Sequence, residues 1–345
     1  MKKQERNNSK GNIIPFPDLE KRLLTRGLDY LQNKKYQQAI RLLEEAKSID
    51  ERNDEVYIGL VLAYYEIGSL QKAKDLALEM LKRDMGDYFQ TVDLYLMILV
   101  QMKSYEEIIT TIEILLEERE IPADKLEHFS KLLAFSRKMV DENPSWDSAE
   151  MEEILDYDQN PSLQLNEIID PNKQVLVIAE LSKKNVRPYI EEINLFLQDD
   201  KSHPFLKTML LNILQEQEYE SGVLVEKFGR KKTVTPSKLF TLHEYPMKDD
   251  IQKVLQEHLE NEDPVLYQQT ISLFERHLFL LYPFELGNTP AACWAGAYHY
   301  TGMEYSGVEV RTMEDIAEEY AVNRSEMEES CHLIKKLEKI SYPII

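Results

Sequence analysis

Cysteine is almost absent from this chain, with two in 345 residues, Cys293 and Cys331, neither in a CxxC pair. That excludes a disulfide framework and the common zinc motifs, and reads as two reduced cytosolic thiols. Positive charge is in deficit: 41 Lys and Arg against 62 Asp and Glu leave a formal charge of −21. A general nucleic-acid or anionic-membrane binder needs the opposite balance, so neither partner is expected. No uncharged apolar run approaches the roughly 20 residues of a membrane span. The N-terminal MKKQERNNSKGNIIPFP has basic residues but no apolar stretch of the signal-peptide kind, so a cytoplasmic location is expected. GxSxG, HExxH, DxDxDG and GxxxxGK[ST] are missing as well. No catalytic residue, cofactor or metal ligand is therefore expected, and the chain does not read as an enzyme.

What is present is helical periodicity. Only 11 Gly and 14 Pro interrupt the chain, and most segments carry apolar residues at three-and-four spacing, so a mainly α protein is expected. Hydrophobic residues make up 43%, enough to bury a sizeable core. Between Leu19 and about residue 120 the helices come in pairs that repeat. Tyr36–Ala46, Leu70–Met80 and Tyr105–Leu115 align, with Ala39, Ala73 and Ile108 in one column at steps of 34 and 35 residues. Each follows an earlier helix carrying Tyr30, Tyr64 or Leu99 in the matching place. Small residues, Gly27, Ala39, Ala46, Ala73 and Ala77, mark where paired helices cross closely. Gly68 marks a helix end, because glycine accepts the left-handed conformation there.

A two-helix repeat of about 34 residues resembles the tetratricopeptide-repeat proteins. The resemblance implies an α-solenoid with repeats near 20–53, 54–87 and 89–122 and a capping helix to residue 140. In the third repeat Leu96 and Ile108 stand where the pattern usually has small residues. Taken whole, the chain resembles an uncharacterised cytoplasmic family of Gram-positive bacteria, from which no activity transfers.

The expected organisation is a flexible arm (1–18), the repeats and cap (19–140), an acidic linker (141–160), a helical segment with one small β-hairpin (161–247), and a helical C-terminal domain (248–345). The linker carries eight acids and no base. The hairpin is read as two runs, Val223–Phe228 and Thr233–Thr235, around an exposed basic turn Gly229-Arg230-Lys231-Lys232. Five helices are expected after it, at 248–261, 264–281, 290–304, 312–321 and 325–340. The stretch from Pro290 resembles the end of a cyclin-like repeat of transcription factor IIB type, with a helix-turn-helix-like frame packed by Ile316, Ala317, Tyr320 and Val322. A regulator using this tail on transcription machinery or nucleic acid is the alternative functional reading. Glu318, Glu319, Glu326, Glu328 and Glu329 flank the turn and oppose phosphate, so direct DNA binding is disfavoured. Cys293, His299, Cys331 and His332 match no zinc-ligand spacing, and His277 reads as a core histidine.

The tetratricopeptide resemblance also implies a groove lined by the first helix of each pair. Matching positions are Lys21, Leu24, Leu28, Leu31 and Gln32, then Glu55, Ile58, Leu62, Tyr65 and Glu66, then Gln90, Asp93, Met97, Val100 and Gln101. One Lys and no Arg or Asn make the family's carboxylate clamp a poor fit. Eight of the fifteen are apolar, a surface that favours an amphipathic helix or peptide. The occupant is either a protein partner or this chain's own C-terminal helices, and self-association into a homo-oligomer is compatible with both. The expected function is a non-catalytic adaptor or scaffold.

Overall fold

The computed structural model describes residues 18–118, 121–141, 162–307 and 311–340. The expected arm and acidic linker lie almost wholly outside them. Two compact units divide the chain, residues 1–160 and 161–345.

In the first unit helices pair in chain order. α1 (Leu19–Gln32) packs on α2 (Tyr36–Ile49), α3 (Asp54–Glu66) on α4 (Leu70–Lys82), α5 (Tyr88–Gln101) on α6 (Tyr105–Glu118), and α7 (Ala123–Asp141) closes on α6. Each pair also meets the next, so one continuous apolar core runs through all seven helices. The small residues sit where backbones approach: Ala39, Ala46, Ala73 and Ala77 have no exposed surface. A Cβ on Gly27 would stand 2.7 Å from Leu43 Cγ, and one on Gly59 would stand 3.0 Å from Leu43 Cδ1. Leu43 of α2 is thus seated against glycines of both α1 and α3. In the third pair Leu96 and Ile108 are buried in the same core, and with bulk in place of small residues α5 and α6 approach each other less closely than the helices of the first two pairs.

The turns within the pairs share one geometry. Lys34, Gly68 and Lys103 have φ of 60°, 77° and 56°. Their N–H groups donate to the carbonyls of Leu31, Tyr65 and Val100, and the next N–H groups donate to Tyr30, Tyr64 and Leu99. This double bond pattern satisfies the orphan carbonyls of a helix end by the Schellman arrangement. At the start of α3 and α5, Asn53 and Asp87 accept from the N–H groups of Val56 and Gln90, as preferred N-cap residues do.

The second unit contains α8 (Pro171–Leu181), α9 (Ile190–Gln198), α10 (Pro204–Glu216), strands β1 (Val223–Lys227) and β2 (Arg230–Val234), α11 (Lys248–Leu255), α12 (Pro264–Leu281), α13 (Ala291–Ser306), α14 (Met313–Glu319) and α15 (Arg324–Glu338). A π turn, Gln256–Glu260, extends α11. The segments read separately in the sequence, 161–247 and 248–345, each supply most of one apolar cluster, but Tyr282 and Phe284 are buried in the first, Tyr245 is buried in the second, and Phe240 touches both.

Polar bonds join those clusters. Lys227 is 2% exposed, and its ammonium donates to Thr208 Oγ1 at 2.6 Å, Leu280 O at 3.1 Å and Tyr282 O at 2.6 Å. Thr208 in turn donates to Phe279 O at 2.6 Å. Burial holds the Lys227 pKa well below the usual lysine value. Strand alternation is the cause of its placement, since Lys227 shares the inward face with Val223 and Val225.

The hairpin corrects the sequence reading in one respect. Its two-residue turn is Phe228-Gly229, at φ of 52° and 75°, and Arg230, Lys231 and Lys232 belong to β2. Both turn residues have positive φ, as type I′ turns require. The register sets Lys231 opposite Glu226, with an ion pair of 3.0 Å, and Arg230 covers the Phe284 ring at 4.8 Å. The basic residues therefore lie in the strand and not in the turn, and Arg230 and Lys231 are exposed there, as expected.

Candidate functional site

The positions read as a groove fall into three groups by burial. Leu28, Leu31, Ile58, Leu62, Tyr65 and Met97 are half-buried. Glu55, Gln90 and Gln101 are exposed, as are Lys21 and Gln32, while Glu66 and Asp93 are half-buried. Leu24 and Val100 are only 7% and 6% exposed, so they give core packing and little ligand surface. Leu28, Leu31, Ile58 and Tyr65 lean on the solenoid core, whereas Leu62 and Met97 are not among the apolar residues packed against it. Two carboxylates of the set have intramolecular partners: Asp93 binds Lys125, and Glu66 accepts from Tyr36 Oη at 3.4 Å.

Behind these positions, ion pairs and tyrosines tie each pair of helices to its neighbour. Tyr57 Oη of α3 donates to Glu79 of α4 at 2.9 Å, and Lys47 of α2 lies 3.6 Å from that carboxylate and 4.5 Å from the Tyr57 ring. One repeat on, Tyr95 of α5 donates to Glu107 of α6, and Lys74 of α4 pairs with Glu107 at 2.6 Å. Burial and the Glu79 carboxylate push the Tyr57 phenol up to about 12. Burial raises Glu79 and Glu107, but hydrogen bonds from Tyr57 and Arg83 at one and from Lys74 and Tyr95 at the other outweigh it and hold both below the usual value.

In the second unit, α14 and α15 form the helix-turn-helix-like frame. Ile316, Ala317 and Tyr320 are buried and Val322 is partly so. Thr312 and Asp315 cap α14 reciprocally, and Asn323 caps α15. Glu326, Glu328 and Glu329 are exposed at the start of α15, and Arg324 is paired with Glu314. The one arginine at the head of that helix is thus neutralised and the rest of its first turns are acidic, which opposes phosphate.

The cysteines and histidines are dispersed into separate core contacts. Cys293 Sγ lies 3.9 Å from Ser330 Oγ, Cys331 Sγ faces Ala297 O at 3.7 Å, and His299 Nδ1 is 3.0 Å from Tyr320 Oη. His332 is exposed. His277, fully buried, accepts from Tyr298 Oη at 3.3 Å through Nδ1 and donates through Nε2 to Glu338 Oε2 at 2.9 Å. Arg276 holds both Glu338 oxygens at 2.8 and 2.7 Å. Among the described residues no group of three or more His, Cys, Asp or Glu is placed to hold a metal ion. No helix among them is long and apolar enough to cross a membrane.

The "Tetratricopeptide repeat" family model matches residues 30–92, from the end of α1 into α5. Over nearly its full length the chain is similar to the TPR repeat-containing protein YsoA of Bacillus subtilis (strain 168), with 38% identity across 333 residues, 96% of this chain and 97% of that protein. This chain belongs to the tetratricopeptide-repeat proteins. Similarity reaching through the second unit means that the relative shares the C-terminal half along with the repeats. The family match stops short of α6, the helix whose Ile108 departs from the small-residue pattern. Tetratricopeptide proteins are protein-interaction modules, and that broad role extends to this chain.

Lys227 and Lys207 escaped the sequence reading. Lys207 is 1% exposed, donates to the carbonyls of Asp199 and Glu226, and is pushed down to about 8 by burial. A signal for Lys227 was available in the alternation of Val223, Val225 and Lys227. None was available for Lys207, a polar residue inside an apolar helix with its charge bound by carbonyls of the preceding turn and of β1.

Proposed function

We propose that the protein is a non-catalytic adaptor whose tetratricopeptide unit takes an amphipathic helix or peptide along its first helices. The observation that carries this reading is the row of half-buried apolar side chains at family groove positions on α1, α3 and α5: Leu28, Leu31, Ile58, Leu62, Tyr65 and Met97. Such a row is too apolar to be an ordinary solvated face and supplies the spaced anchors that helix-in-groove recognition uses. Exposed Glu55, Gln90 and Gln101 supply polar contacts at its rim. The absence of a lysine-rich clamp favours recognition through apolar side chains over recognition of a free carboxylate.

The test uses a library of amphipathic helical peptides screened against the full chain, then against Leu62→Glu with Met97→Glu. Those two residues are half-buried and not among the side chains packed against the core, so the variant is expected to keep its helical circular dichroism, which is recorded alongside. Peptides that bind the wild-type chain are expected to lose at least tenfold in affinity. Equal binding by the variant overturns the groove assignment.

A further inference from the structure

Beyond the solenoid, the second unit has a cleft of about 650 Å3 between the last turns of α13 and the second half of α15. On its α15 wall stand His332, Lys335, Lys336 and Lys339, and on its α13 wall Glu304 and Tyr305. Three, four and seven residues of separation put the four side chains, Lys339 at the C-cap, on one stripe of the helix, spanning about 10 Å at 1.5 Å per residue. Lys335 is committed to Glu304 at 2.8 Å, and Glu338, which also lines the cleft, is committed to Arg276 at 2.7 Å. Lys336, Lys339 and His332 have exposed side chains, and the described residues offer them no carboxylate. Tyr305 is 52% exposed, a large ring facing water beside the two lysines. A second cleft, of about 680 Å3, continues past Tyr305 and Glu338 to Gln268, Gln269 and Ser272 of α12.

We infer that this cleft is a second docking surface, for an acidic amphipathic helix of a protein partner. Charge complementarity carries the assignment. In a chain of net charge −21, the two uncommitted lysines, Lys336 and Lys339, with the His332 ring one turn before them, are matched by acidic side chains at i, i+4 and i+7 of a partner helix. Lysines near a helix C-terminus are favoured by the helix dipole in any case, but the dipole accounts for neither the cleft nor the exposed ring beside it. Tyr305 offers an apolar platform for the partner's hydrophobic edge and a hydroxyl at its rim. A polyanion such as DNA is a worse match. The cationic stretch is about 10 Å long, and Glu326, Glu328 and Glu329 are exposed on the preceding turns of the same helix, where a longer anion would meet them. The surface lies wholly in the second unit and is independent of the solenoid groove.

The experiment is fluorescence anisotropy of the full chain with a labelled helical peptide bearing three glutamates on one face and leucines beside them. The same peptide with glutamine for glutamate, and a labelled single-stranded oligonucleotide, are run alongside. The glutamate peptide is expected to bind at least tenfold tighter than the glutamine peptide and to weaken at least fivefold between low and high salt. Lys336→Glu with Lys339→Glu is expected to abolish the difference, and the milder Lys336→Gln with Lys339→Gln to reduce it, which covers the case in which charge reversal disturbs the helix. Leu62→Glu with Met97→Glu leaves it unchanged. Equal binding of the two peptides, tighter binding of the oligonucleotide, or lysine variants that bind like the wild-type chain would each overturn the assignment.

Discussion

Two buried histidines of the second unit are required in their neutral form. His277 has one ring nitrogen accepting from Tyr298 and the other donating to Glu338, and His299 meets Tyr320. Burial pushes both from 6.5 down to about 4. A folded-state pKa below the unfolded one means that the unfolded chain binds more protons in between. The stability these residues contribute is therefore full above about 6.5 and is lost as pH falls toward 4. Each such shift is worth on the order of 3 kcal/mol when complete. Carboxylates held low, such as Glu338 through Arg276 and His277, lose their contribution only as pH falls through and below 4.5. Urea midpoints of the wild-type chain are thus expected to drop already between pH 6.5 and 4.5. His277→Gln, less stable at pH 7, is expected to show a shallower drop in that window. A fall of equal slope in the variant would show that His277 is not the titrating group.

At the scale of single elements, the repeated turn is the most regular feature of the solenoid, and glycine occupies it once in three. Lys34 and Lys103 adopt positive φ with a Cβ present, which costs about 1 kcal/mol. Lys103 is exposed, and Lys103→Gly is expected to raise the stability of the chain by about 1 kcal/mol, read as a higher urea midpoint at unchanged slope. An unchanged or lowered midpoint would count against strain at that turn. The same elements show where the sequence was readable. Gly68 announced its turn because glycine is the usual residue there, while the lysines at equivalent places give no local signal and emerge only through the repeat period. Phe228 misled for the same reason. A bulky residue seldom opens a hairpin, so the local sequence places the turn one step late, at the basic run. The register is imposed instead by the inward face, which needs Val223 opposite Val234 and Lys227 within reach of the carbonyls at the end of α12.

Over the whole molecule, repeats, helical class and the order of helices were legible because period and composition are local records. All five helices expected after residue 247 are present within two residues at each end, counting the π turn with α11. The merging of 161–247 with the later helices into one unit was not legible, since it rests on side chains reaching partners far along the chain: Lys227, Thr208 and Phe240, and Tyr245, Tyr282 and Phe284 buried in the opposite cluster. The burial of Leu24 and Val100 was not legible, because it depends on neighbouring helices. Residues 162–345 are expected to fold without the solenoid. Trp294, 2% exposed, is the one tryptophan of that fragment, and its emission should shift to the red in a single cooperative urea transition. A fragment whose tryptophan is already solvated in buffer would refute this. The seating of Leu43 between Gly27 and Gly59 bears on the energetics of recognition. Three helices of the first two repeats are locked at one side chain by backbone-close contact, so their spacing does not wait on a ligand. A partner taken by the proposed groove would meet a preorganised surface and lose little of its binding free energy to ordering the receptor.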